Sequence, residues 1–498
     1  MPIDSHHHEY DEYAPEWECN EDVVEGEREV KAGGETYLPR LPGQDEAGYK
    51  AYLQRAAFFP ATSRTRDGLL GMIFRKDPQA KLPPVLEAYE DDIDMAGTSL
   101  DEFAARVVDC TLQAPHGGIL VEYPRTDGQP TTAAQADALG MRPYATYWEA
   151  EDVFNWATGR VNNRTVLTEV RLSECVMEPD PKDPYTQIEV KQIRQLRLNE
   201  AGLYEVVLFR EKKDAATGKI EWIETDRFVP YFRGKPETAI PFVFIGPRDT
   251  SPECSKAPLS DIASVNVHHY HNSADYENGL FWIGTPTPVF IGDFVTETGE
   301  TVAMVKIGAT SGIHMSQGSD AKFLEFQGSG LEALKTALAD KKDDMAILGA
   351  RILAADKKAA ETAETAAIHR AGENSVLASL ANAVSKGIEN ALKLMAKWAG
   401  DETSEISYRL NTDYQPVAMS FQDLTATVSA WQAGALSETE LFEALQAGEV
   451  IRDDKTFDDH KAETDAETQV RDAKKADQAA AQLAQTAAIV ATRGKTNG

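Results

Sequence analysis

The sequence is poor in cysteine, has no long apolar run and is short of positive charge. Its four cysteines, Cys19, Cys110, Cys175 and Cys254, lie far apart among 498 residues, with no Cys-x-x-Cys pair. Neither a disulfide framework nor a thiolate zinc site is therefore expected, and reduced thiols are the simplest interpretation. Because the chain has no stretch of about 18 apolar residues and no charged-then-apolar amino-terminal signal, we expect neither membrane spanning nor secretion.

The shortage of positive charge excludes one mode of DNA binding. The chain has 50 Lys and Arg against 81 Asp and Glu, which gives a formal net charge of −31 at pH 7. A surface that grips phosphates needs Lys and Arg to release counterions from the nucleic acid. A protein of this charge can still handle DNA by repelling it. The length and the hydrophobic content of 42% allow two to four domains or one elongated subunit with several parts.

Catalytic and metal-binding motifs are also missing. Gly494-Lys495-Thr496 matches only the end of a Walker A motif, since Ile489 replaces the earlier glycine. The chain has no Gly-x-Ser-x-Gly elbow and no metalloprotease helix. His268, His269 and His271 lack the spacing of four that puts two imidazoles on one helix face, so we interpret them as polar contacts between subunits. We expect no enzymatic activity, no metal and no cofactor.

The amino-terminal half begins with an acidic segment and continues as a helical layer followed by a sheet. Residues 1–35 show little apolar periodicity, so we interpret them as a mobile or partner-draped arm. Ser99 and Glu102 form a capping-box pair at the start of one predicted helix. In the range 141–247, apolar residues alternate with charged ones, which predicts an antiparallel meander with turns at 199–202 and 215–218. The predicted helices are 49–59, 62–74, 83–93 and 99–113, and a buried strand is predicted at 118–123.

The range 258–400 organises the rest of the chain. A long helix is predicted from Ser260, taken as its N-cap, to the break before Gly284, and a second helix begins at Leu331. Strand-like segments lie between them at 288–291, 302–307 and 323–326. A third long helix runs to Trp398, and its apolar seam includes Leu377, Leu380, Val384, Ile388 and Leu392.

The carboxyl-terminal part has a weaker pattern. One strand is predicted at 404–410, and two short helices are predicted at 421–432 and 438–446. From His460 onward, alanine dominates a narrow seam that buries little area per turn. We expect this tail to need neighbouring copies to stay ordered, and a solvated, partly frayed helix is the alternative.

The order helix, β clip, helix, loop, long helix resembles the tailed-phage portal proteins, the head-to-tail connectors through which genomic DNA enters and leaves a capsid. The similarity is also seen in short sequence strings and covers roughly residues 35–451. Each string alone is weak evidence, and only the whole set is specific. The strings are Tyr37-Leu38-Pro39-Arg40-Leu41, Leu70-Gly71-Met72-Ile73-Phe74-Arg75-Lys76-Asp77-Pro78, Gly118-Ile119-Leu120-Val121-Glu122-Tyr123-Pro124, Pro258-Leu259 leading into the His268 helix, Leu348-Gly349-Ala350-Arg351 and Asn411-Thr412-Asp413-Tyr414.

The resemblance implies an α+β, portal-like subunit that assembles as a ring. The implied parts are an acidic N-terminal arm (1–35), a wing of helices and antiparallel sheet (36–257), a stem helix down (258–284), a β-containing clip (285–330), a stem helix up (331–350), a tunnel loop (351–361), a long tunnel helix (362–400), a return strand with the first crown helices (401–459) and a C-terminal crown helix or tail (460–498).

The resemblance also implies a function in a bacteriophage virion. The ring, usually a homododecamer, would form one capsid vertex and serve as the channel for genome packaging, head-tail joining and DNA ejection. Rings of twelve or thirteen subunits are both compatible with the sequence. Implied partners are the terminase large subunit, major capsid and scaffolding proteins, head-completion, adaptor or tail proteins, and double-stranded DNA passing without sequence specificity. No membrane is implied, and the ring would form in the host cytoplasm before joining the virion.

The resemblance to portal proteins implies roles for two sets of residues. Lys357 and Lys358 in the tunnel loop would face the DNA and touch phosphates briefly, although a pair of solvated lysines on a flexible loop is an equal alternative. The seam residues of the third long helix would form the subunit interface, because the seam is longer than one subunit's remaining helices are expected to cover. The residues assigned to this interface are Leu377, Leu380, Val384, Ile388 and Leu392.

An alternative from another class is an acidic, carboxylate-based hydrolase with a helical appendage. Clusters such as Glu90-Asp91-Asp92 and Asp453-Asp454 would supply its paired carboxylates. Size in solution separates the two hypotheses. A hydrolase should run as a monomer or dimer, whereas a portal should give a particle of several hundred kilodaltons with a central hole.

Overall fold

The fold was analysed in a computed structural model. It describes residues 2–124, 132, 135, 140–161, 163–180, 183–213, 220–232, 235–285, 287–291, 318–324, 328, 330–353, 376–401, 403–414, 421–448, 450–451 and 455–465. Several sequence predictions fall outside these residues: the turn at 215–218, the strand at 302–307, most of the tunnel loop with Lys357 and Lys358, the start of the long tunnel helix, and the tail after residue 465. The chain forms two compact units, Met1–Thr412 and Asp413–Gly498.

The first unit combines helices with antiparallel sheets, so the predicted α+β class is confirmed. Its amino-terminal helices are α1 (His8–Glu25), α2 (Glu27–Ala32), α3 (Glu46–Arg55), α4 (Ala61–Ile73) and α5 (Leu100–Gln113). The capping box of α5 is formed, since the Ser99 hydroxyl accepts from Glu102 N and the Glu102 carboxylate accepts from Ser99 N. A helix predicted at 83–93 is wrong, because only a 3₁₀ turn, Glu87–Tyr89, forms there.

The acidic amino-terminal segment is not a mobile arm. It folds into α1 and α2, and Trp17, Val23 and Val30 in these helices have no exposed surface. Val23 and Val30 pack with Tyr37, Tyr52 and other buried side chains in one apolar cluster. The prediction of an arm is wrong because a few well-placed apolar side chains dock the segment, and acidic side chains such as Glu9 and Glu16 accept hydrogen bonds from the rest of the fold.

A five-stranded antiparallel meander forms the largest sheet, as the sequence predicted. Its strand order is β4-β5-β6-β7-β8. Val170, Leu172 and Leu196 point to the buried face, in agreement with the alternating pattern. The turn at Asn199 joins β6 to β7, and Asn199 N donates a hydrogen bond to Leu203 O at 2.9 Å. The strands are β4 (Val153–Val161), β5 (Arg164–Asp180), β6 (Asp183–Leu198), β7 (Tyr204–Lys213) and β8 (Ile220–Phe228).

A second, three-stranded sheet packs against the meander and encloses an apolar core with it. Its order is β11-β2-β3, and Leu120, Phe242 and Phe244 from this sheet contact the inward residues of the meander. Two further antiparallel pairs join distant or short segments: β1 with β14, and β9 with β10. The strands are β1 (Gln79–Lys81), β2 (Gly118–Glu122), β3 (Tyr144–Trp148), β9 (Tyr231–Phe232), β10 (Lys235–Pro236), β11 (Phe242–Phe244) and β14 (Ser407–Arg409).

Three long helices and a β pair follow the sheets. They are α6 (Ser260–Gly284), β12 (Thr287–Ile291), β13 (Asp320–Leu324), α7 (Leu331–Leu353) and α8 (Val376–Ala399). Strands β12 and β13 are antiparallel partners. Ser260 is the first residue of α6 and not its cap, because the N-cap position is Leu259, which offers no side-chain acceptor. Residues 351–353 continue α7, so the predicted tunnel loop does not begin at Arg351.

The second unit contains two described helices, as predicted from the sequence. They are α9 (Phe421–Gln432) and α10 (Glu438–Ala447), and residues 457–465 are also helical. Ser437 and Glu440 form a capping box at the start of α10. Phe442 is buried within this unit and packs against Phe457 and His460. Within the described part of the chain, no helix is both long and apolar enough to cross a membrane.

Candidate functional site

Helices α6 and α7 form a long antiparallel pair. Near one end Gly279 lies against Leu331, where an added Cβ would come within 2.6 Å of Leu331 Cδ2. Near the other end Gly349 lies closest to Thr65 on α4, where an added Cβ would come within 3.2 Å of Thr65 Cγ2. Gly279 therefore allows α6 and α7 to approach closely, and Gly349 allows α7 to approach α4.

One end of this pair, its base, is anchored in the core of the first unit. Ile262, Ala263 and Tyr270 on α6 are buried. Asn266 ties the base to α4: its Oδ1 accepts from Thr62 N at 3.2 Å and from Thr62 Oγ1 at 3.1 Å. Further along α6, Asp275 Oδ1 accepts a hydrogen bond from Tyr52 OH on α3 at 2.7 Å. These hydrogen bonds attach α6 to α3 and α4 at its base.

The three histidines of α6 make contacts inside the chain. His271 Nε2 donates to Tyr37 O at 2.5 Å, and the rings of His268 and His271 meet edge to face at 5.9 Å. His269 is buried against Phe59, and burial, with Lys342 nearby, lowers its pKa to about 4. The interpretation of His269 and His271 as contacts between subunits is therefore wrong. In the part of the chain that the structure describes, no cluster of potential ligands could hold a metal ion.

The opposite end of the pair exposes a set of large apolar side chains, called the apolar end below. Trp282 is 51% exposed at the end of α6, and Phe323 and Leu324 on β13 are 60% and 66% exposed. Ile283 contacts the region where α7 begins, since an added Cβ at Gly328 would come within 2.6 Å of Ile283 Cδ1. Exposed apolar sets of this kind mark protein interaction sites. The members are Leu280, Phe281, Trp282, Ile283, Ile291, Phe323 and Leu324.

One cation borders the apolar end. The Arg55 guanidinium lies 3.6 Å from the centre of the Phe281 ring. An Arg over an aromatic ring is a favourable cation–π contact that holds the ring in a defined position. Arg55 is the last residue of α3, so the position of Phe281 is set by the amino-terminal helical layer.

The seam residues assigned to a subunit interface are covered by their own chain. Leu377, Leu380, Val384, Ile388 and Leu392 on α8 are at most 1% exposed. Helix α8 packs against α5, β2, β11 and β14 of the same unit. The expectation that one subunit cannot cover this seam is wrong, because α5, strands β2 and β11 of the three-stranded sheet, and β14 pack against α8 within the same chain.

Gly387 shows how closely α8 approaches the sheet. An added Cβ at this position would come within 2.8 Å of Ile245 Cδ1. The Ser385 hydroxyl, also on α8, accepts from Leu410 N at 3.0 Å. These contacts place α8 in the core of the first unit, where a ring neighbour has no access to its seam.

The apolar end was not singled out from the sequence, although a signal was present. Leu280, Phe281, Trp282 and Ile283 are four consecutive large apolar residues. Successive residues on an α-helix are about 100° apart, so four in a row cannot all face one packing partner. At least part of such a run must be exposed or be covered by another molecule. Lys357 and Lys358, the other assigned site residues, lie outside the described residues.

Comparisons with known proteins give one family match and several similar structures. A family described as a domain of unknown function, DUF4055, matches residues 258–399, from the base of α6 to the end of α8. This range is well under half of the chain, so it marks a shared region and does not assign the whole chain to a family. No curated protein matches the sequence.

The similar structures are chains of gene transfer agent particles. A chain of "Virion of native gene transfer agent (GTA) particle" is 13% identical, with 82% of this chain and 96% of that chain covered and a TM-score of 0.36. A chain of "Neck of empty GTA particle computed with C6 symmetry" is 13% identical, with coverages of 80% and 92% and a TM-score of 0.36. A chain of "Neck of native GTA particle computed with C12 symmetry" is 12% identical, with coverages of 83% and 98% and a TM-score of 0.36. A TM-score of 0.36 does not establish a shared fold.

Proposed function

We propose that the chain is the subunit of a portal-like ring, a head-to-tail connector through which double-stranded DNA enters and leaves a phage or phage-like capsid. One structural observation carries the proposal. The long pair α6 and α7 runs from an anchored base to the apolar end, where seven large apolar side chains are exposed. The set of short sequence strings that resembles portal proteins is the reason for proposing this particular class of ring.

The physical argument concerns where the apolar end finds cover. Each large apolar side chain that leaves water contributes roughly 1.5–3 kcal/mol. A single chain leaves Trp282, Phe323 and Leu324 about half exposed or more. If copies stand side by side around an axis, the apolar end of one copy lies against the next, and a closed ring leaves none of them at a free edge. We therefore assign the contact between copies to the apolar end of the α6 and α7 pair, and no longer to the α8 seam.

The ring would act in a virion and not as an enzyme. We propose about twelve copies at one capsid vertex, assembled in the host cytoplasm. Its partners would be the terminase large subunit, capsid and scaffolding proteins, adaptor or tail proteins, and DNA that passes without sequence-specific contacts. The titles of two similar structures name particle necks. We base the proposal on the features of this chain, since that structural likeness is weak.

Particle mass measured by native mass spectrometry, together with negative-stain images, tests the proposal. One chain has a mass of 54.6 kDa, so a ring of twelve should appear at several hundred kilodaltons with a central hole. The double variant Trp282→Asp with Phe323→Asp should give smaller, soluble species, because two charges would face the neighbouring copy. Tyr185→Asp is the matched control, since this aromatic side chain is 96% exposed and lies on the meander.

Two results would overturn the proposal. A wild-type protein that remains a monomer or dimer at micromolar concentration would remove the ring and favour the hydrolase alternative. A wild-type ring whose mass is unchanged in the double variant would show that the apolar end is not the contact between copies.

A further inference from the structure

We propose that residues 2–25, called the N-terminal strap below, form a latch that opens as a unit. While closed, the strap fixes the meander sheet to the base of α6, and rising pH favours its opening. The inference concerns contacts within one chain, so it does not depend on ring assembly.

The first end of the strap is bound to the meander. His7 N donates to Phe154 O at 2.9 Å, and Asn155 Nδ2 donates to Ser5 O at 2.5 Å. Arg171 Nη1 donates to Pro2 O, Ile3 O and Ser5 Oγ at 3.0–3.2 Å. The strap therefore contacts the neighbouring strands β4 and β5 through backbone groups and one guanidinium.

The second end of the strap completes the start of α6. The N-cap residue of α6 has no side-chain acceptor, and the Glu16 carboxylate of the strap lies beside this end of the helix. Its Oε1 accepts from Ser260 Oγ at 2.5 Å and from Ala257 N at 3.4 Å. A carboxylate near the first turn also interacts favourably with the positive end of the helix dipole.

Two more strap residues reach the same region. Asn20 Nδ2 donates to Ser260 Oγ at 3.1 Å and to Gln113 O at the end of α5 at 2.9 Å. Glu9 Oε2 accepts from Cys254 N at 2.8 Å. The two ends together show that one 24-residue segment bridges the sheet and the base of the long helical pair.

The middle of the strap is held by an aromatic contact that lacks polar partners. Trp17 is fully buried and stacks on His116 with ring centres 5.7 Å apart, and His116 also contacts Trp156 at 4.1 Å. Among the described residues, neither Trp17 Nε1 nor the two ring nitrogens of His116 have a hydrogen-bond partner. Unpaired buried polar atoms reduce the net gain from docking. The closed strap is therefore held less tightly than its buried area suggests.

The strap is also suited to separate at one point. Gly26 ends α1 with φ of +100°, a backbone conformation that favours glycine, and α2 begins at the next residue. Val23 of the strap and Val30 of α2 dock in the same apolar cluster. Pro15 lies inside α1 and removes one backbone donor from the helix. Because an isolated helix of this length is marginal in water, a released strap would lose its helical structure.

Glu21 gives the latch its dependence on pH. Its side chain lies beside Glu151 and Glu149, at the 3₁₀ turn before β4, and near Asp22 on its own helix. Burial, followed by the negative charges of these carboxylates, raises the pKa of Glu21 to about 8. On α5, the Cys110 thiol lies near this group and Arg106 is paired with Glu149 at 2.8 Å. A raised carboxyl pKa means that the closed strap holds a proton more tightly than the open one. Burial lowers the pKa of His116, beneath Trp17, to about 3, so acid below about pH 6.5 acts in the opposite direction. Between about pH 6.5 and 8, closure weakens as the pH rises.

Hydrogen exchange measured by mass spectrometry, corrected for the intrinsic rate, tests the latch. In Trp17→Ala, exchange in residues 8–25 and in the peptide covering 257–266 should rise at least tenfold, while peptides of β6 and β7 keep their wild-type protection. Equal acceleration throughout the chain, or an unchanged 257–266 peptide beside an opened strap, would overturn the proposal.

A milder pair of variants keeps the test usable where Trp17→Ala fails to fold. Glu16→Ala removes the acceptor at the start of α6 and should speed exchange at 257–266, whereas Glu16→Gln retains an acceptor and should not. Glu18→Ala is the matched control, because Glu18 is an exposed acid on the same helix. Equal effects of Glu16→Ala and Glu18→Ala would refute the capping contact.

The pH dependence has its own variant. In the wild type, corrected exchange of residues 8–25 should increase several-fold between pH 6.5 and pH 8.5. Glu21→Gln should abolish that increase, since its amide cannot ionise. An increase of the same size in Glu21→Gln would show that Glu21 is not the responsible group.

Discussion

The Arg194 guanidinium lies between carboxylates from two different sheets. Nη1 donates to Glu122 Oε1 on β2 at 2.6 Å, and Nη2 pairs with Glu174 Oε2 on β5 at 3.2 Å. Tyr144 OH donates to the other Glu122 oxygen at 3.4 Å. Burial raises the pKa of Glu122, while Arg194 acts in the opposite direction. The network joins the meander to the three-stranded sheet through polar groups set beside an apolar core.

Replacing Arg194 by Met should lower the free energy of unfolding by about 3–5 kcal/mol, because two carboxylates would then be buried without their cation. The loss should be largest at pH 8 and should shrink as pH falls toward 5, since a carboxyl whose pKa is further raised takes up a proton. Urea unfolding at the two pH values measures both effects.

Arg210→Met is the control for Arg194→Met. Arg210 pairs with Glu178 at 2.7 Å, but both side chains are 37% exposed. A pair this open to water contributes about 0–1 kcal/mol. If the two variants lose equal stability, the burial of the Arg194 network has no special effect.

The alternating pattern over 141–247 predicted a meander in the part of the chain that contains Arg194, because a strand's period is local. It did not predict the network of Arg194. The partner Glu122 is 72 residues away, and the two meet only because two sheets pack face to face. The same limit applies to Trp17, which is buried against His116 from another part of the fold.

At the scale of single elements, a local sequence motif predicted the element correctly when all its residues were present. The capping box of Ser99 and Glu102 predicted the start of α5 correctly. In 83–93, by contrast, the apolar spacing suggested a helix, yet Asp92 and Asp94 side chains accept from the backbone amides of Gly97 and Ala96. Such bonds compete with helix formation. Strands β1 and β14, three residues each, are too short to show a period, and the β1 strand was missed.

Ser99→Ala should destabilise the first unit by about 1 kcal/mol, because α5 would lose the acceptor for an otherwise free amide. Thermal or urea unfolding measures the change. Ser99→Asp keeps an acceptor and should stay within a few tenths of a kcal/mol of the wild type. An equal loss in both variants would mean that the serine acts through something other than its cap.

At the scale of the whole molecule, the α8 seam shows what periodicity cannot decide. The pattern correctly predicted a helix with one strongly apolar face. It could not show whether that face would meet the same chain or another copy, because both bury equal area. Strands β2 and β11, which pack against α8, come from residues more than a hundred positions earlier, whereas β14 follows α8 in the chain. The apolar end of α6 and β13 is an exposed apolar surface among the described residues.

The charge of the chain gives a prediction about DNA. Twelve copies at −31 each would carry about −370 formal charges, and a channel of this sign would repel a phosphate backbone sliding through it. We expect the purified protein to bind duplex DNA with a dissociation constant weaker than about 10⁻⁴ M, the weak limit of ordinary non-specific binding. Fluorescence anisotropy at 50 and 200 mM salt measures it, and tight, salt-sensitive binding would contradict the repulsive channel.

The hairpin of β5 and β6 extends beyond its neighbours in the meander. β4 pairs with β5 only up to Leu172, and β7 pairs with β6 only from Gln192, so the next eight residues of β5, about 26 Å of strand, have an open edge within the described part of the chain. Glu174, Glu178 and Pro179 lie on this stretch, and charged residues and proline discourage pairing with a second molecule. Acidification toward the isoelectric point near 4.7 would reduce the net charge by which copies of the protein repel one another. Aggregation of the protein in acid should therefore begin edge to edge at this hairpin.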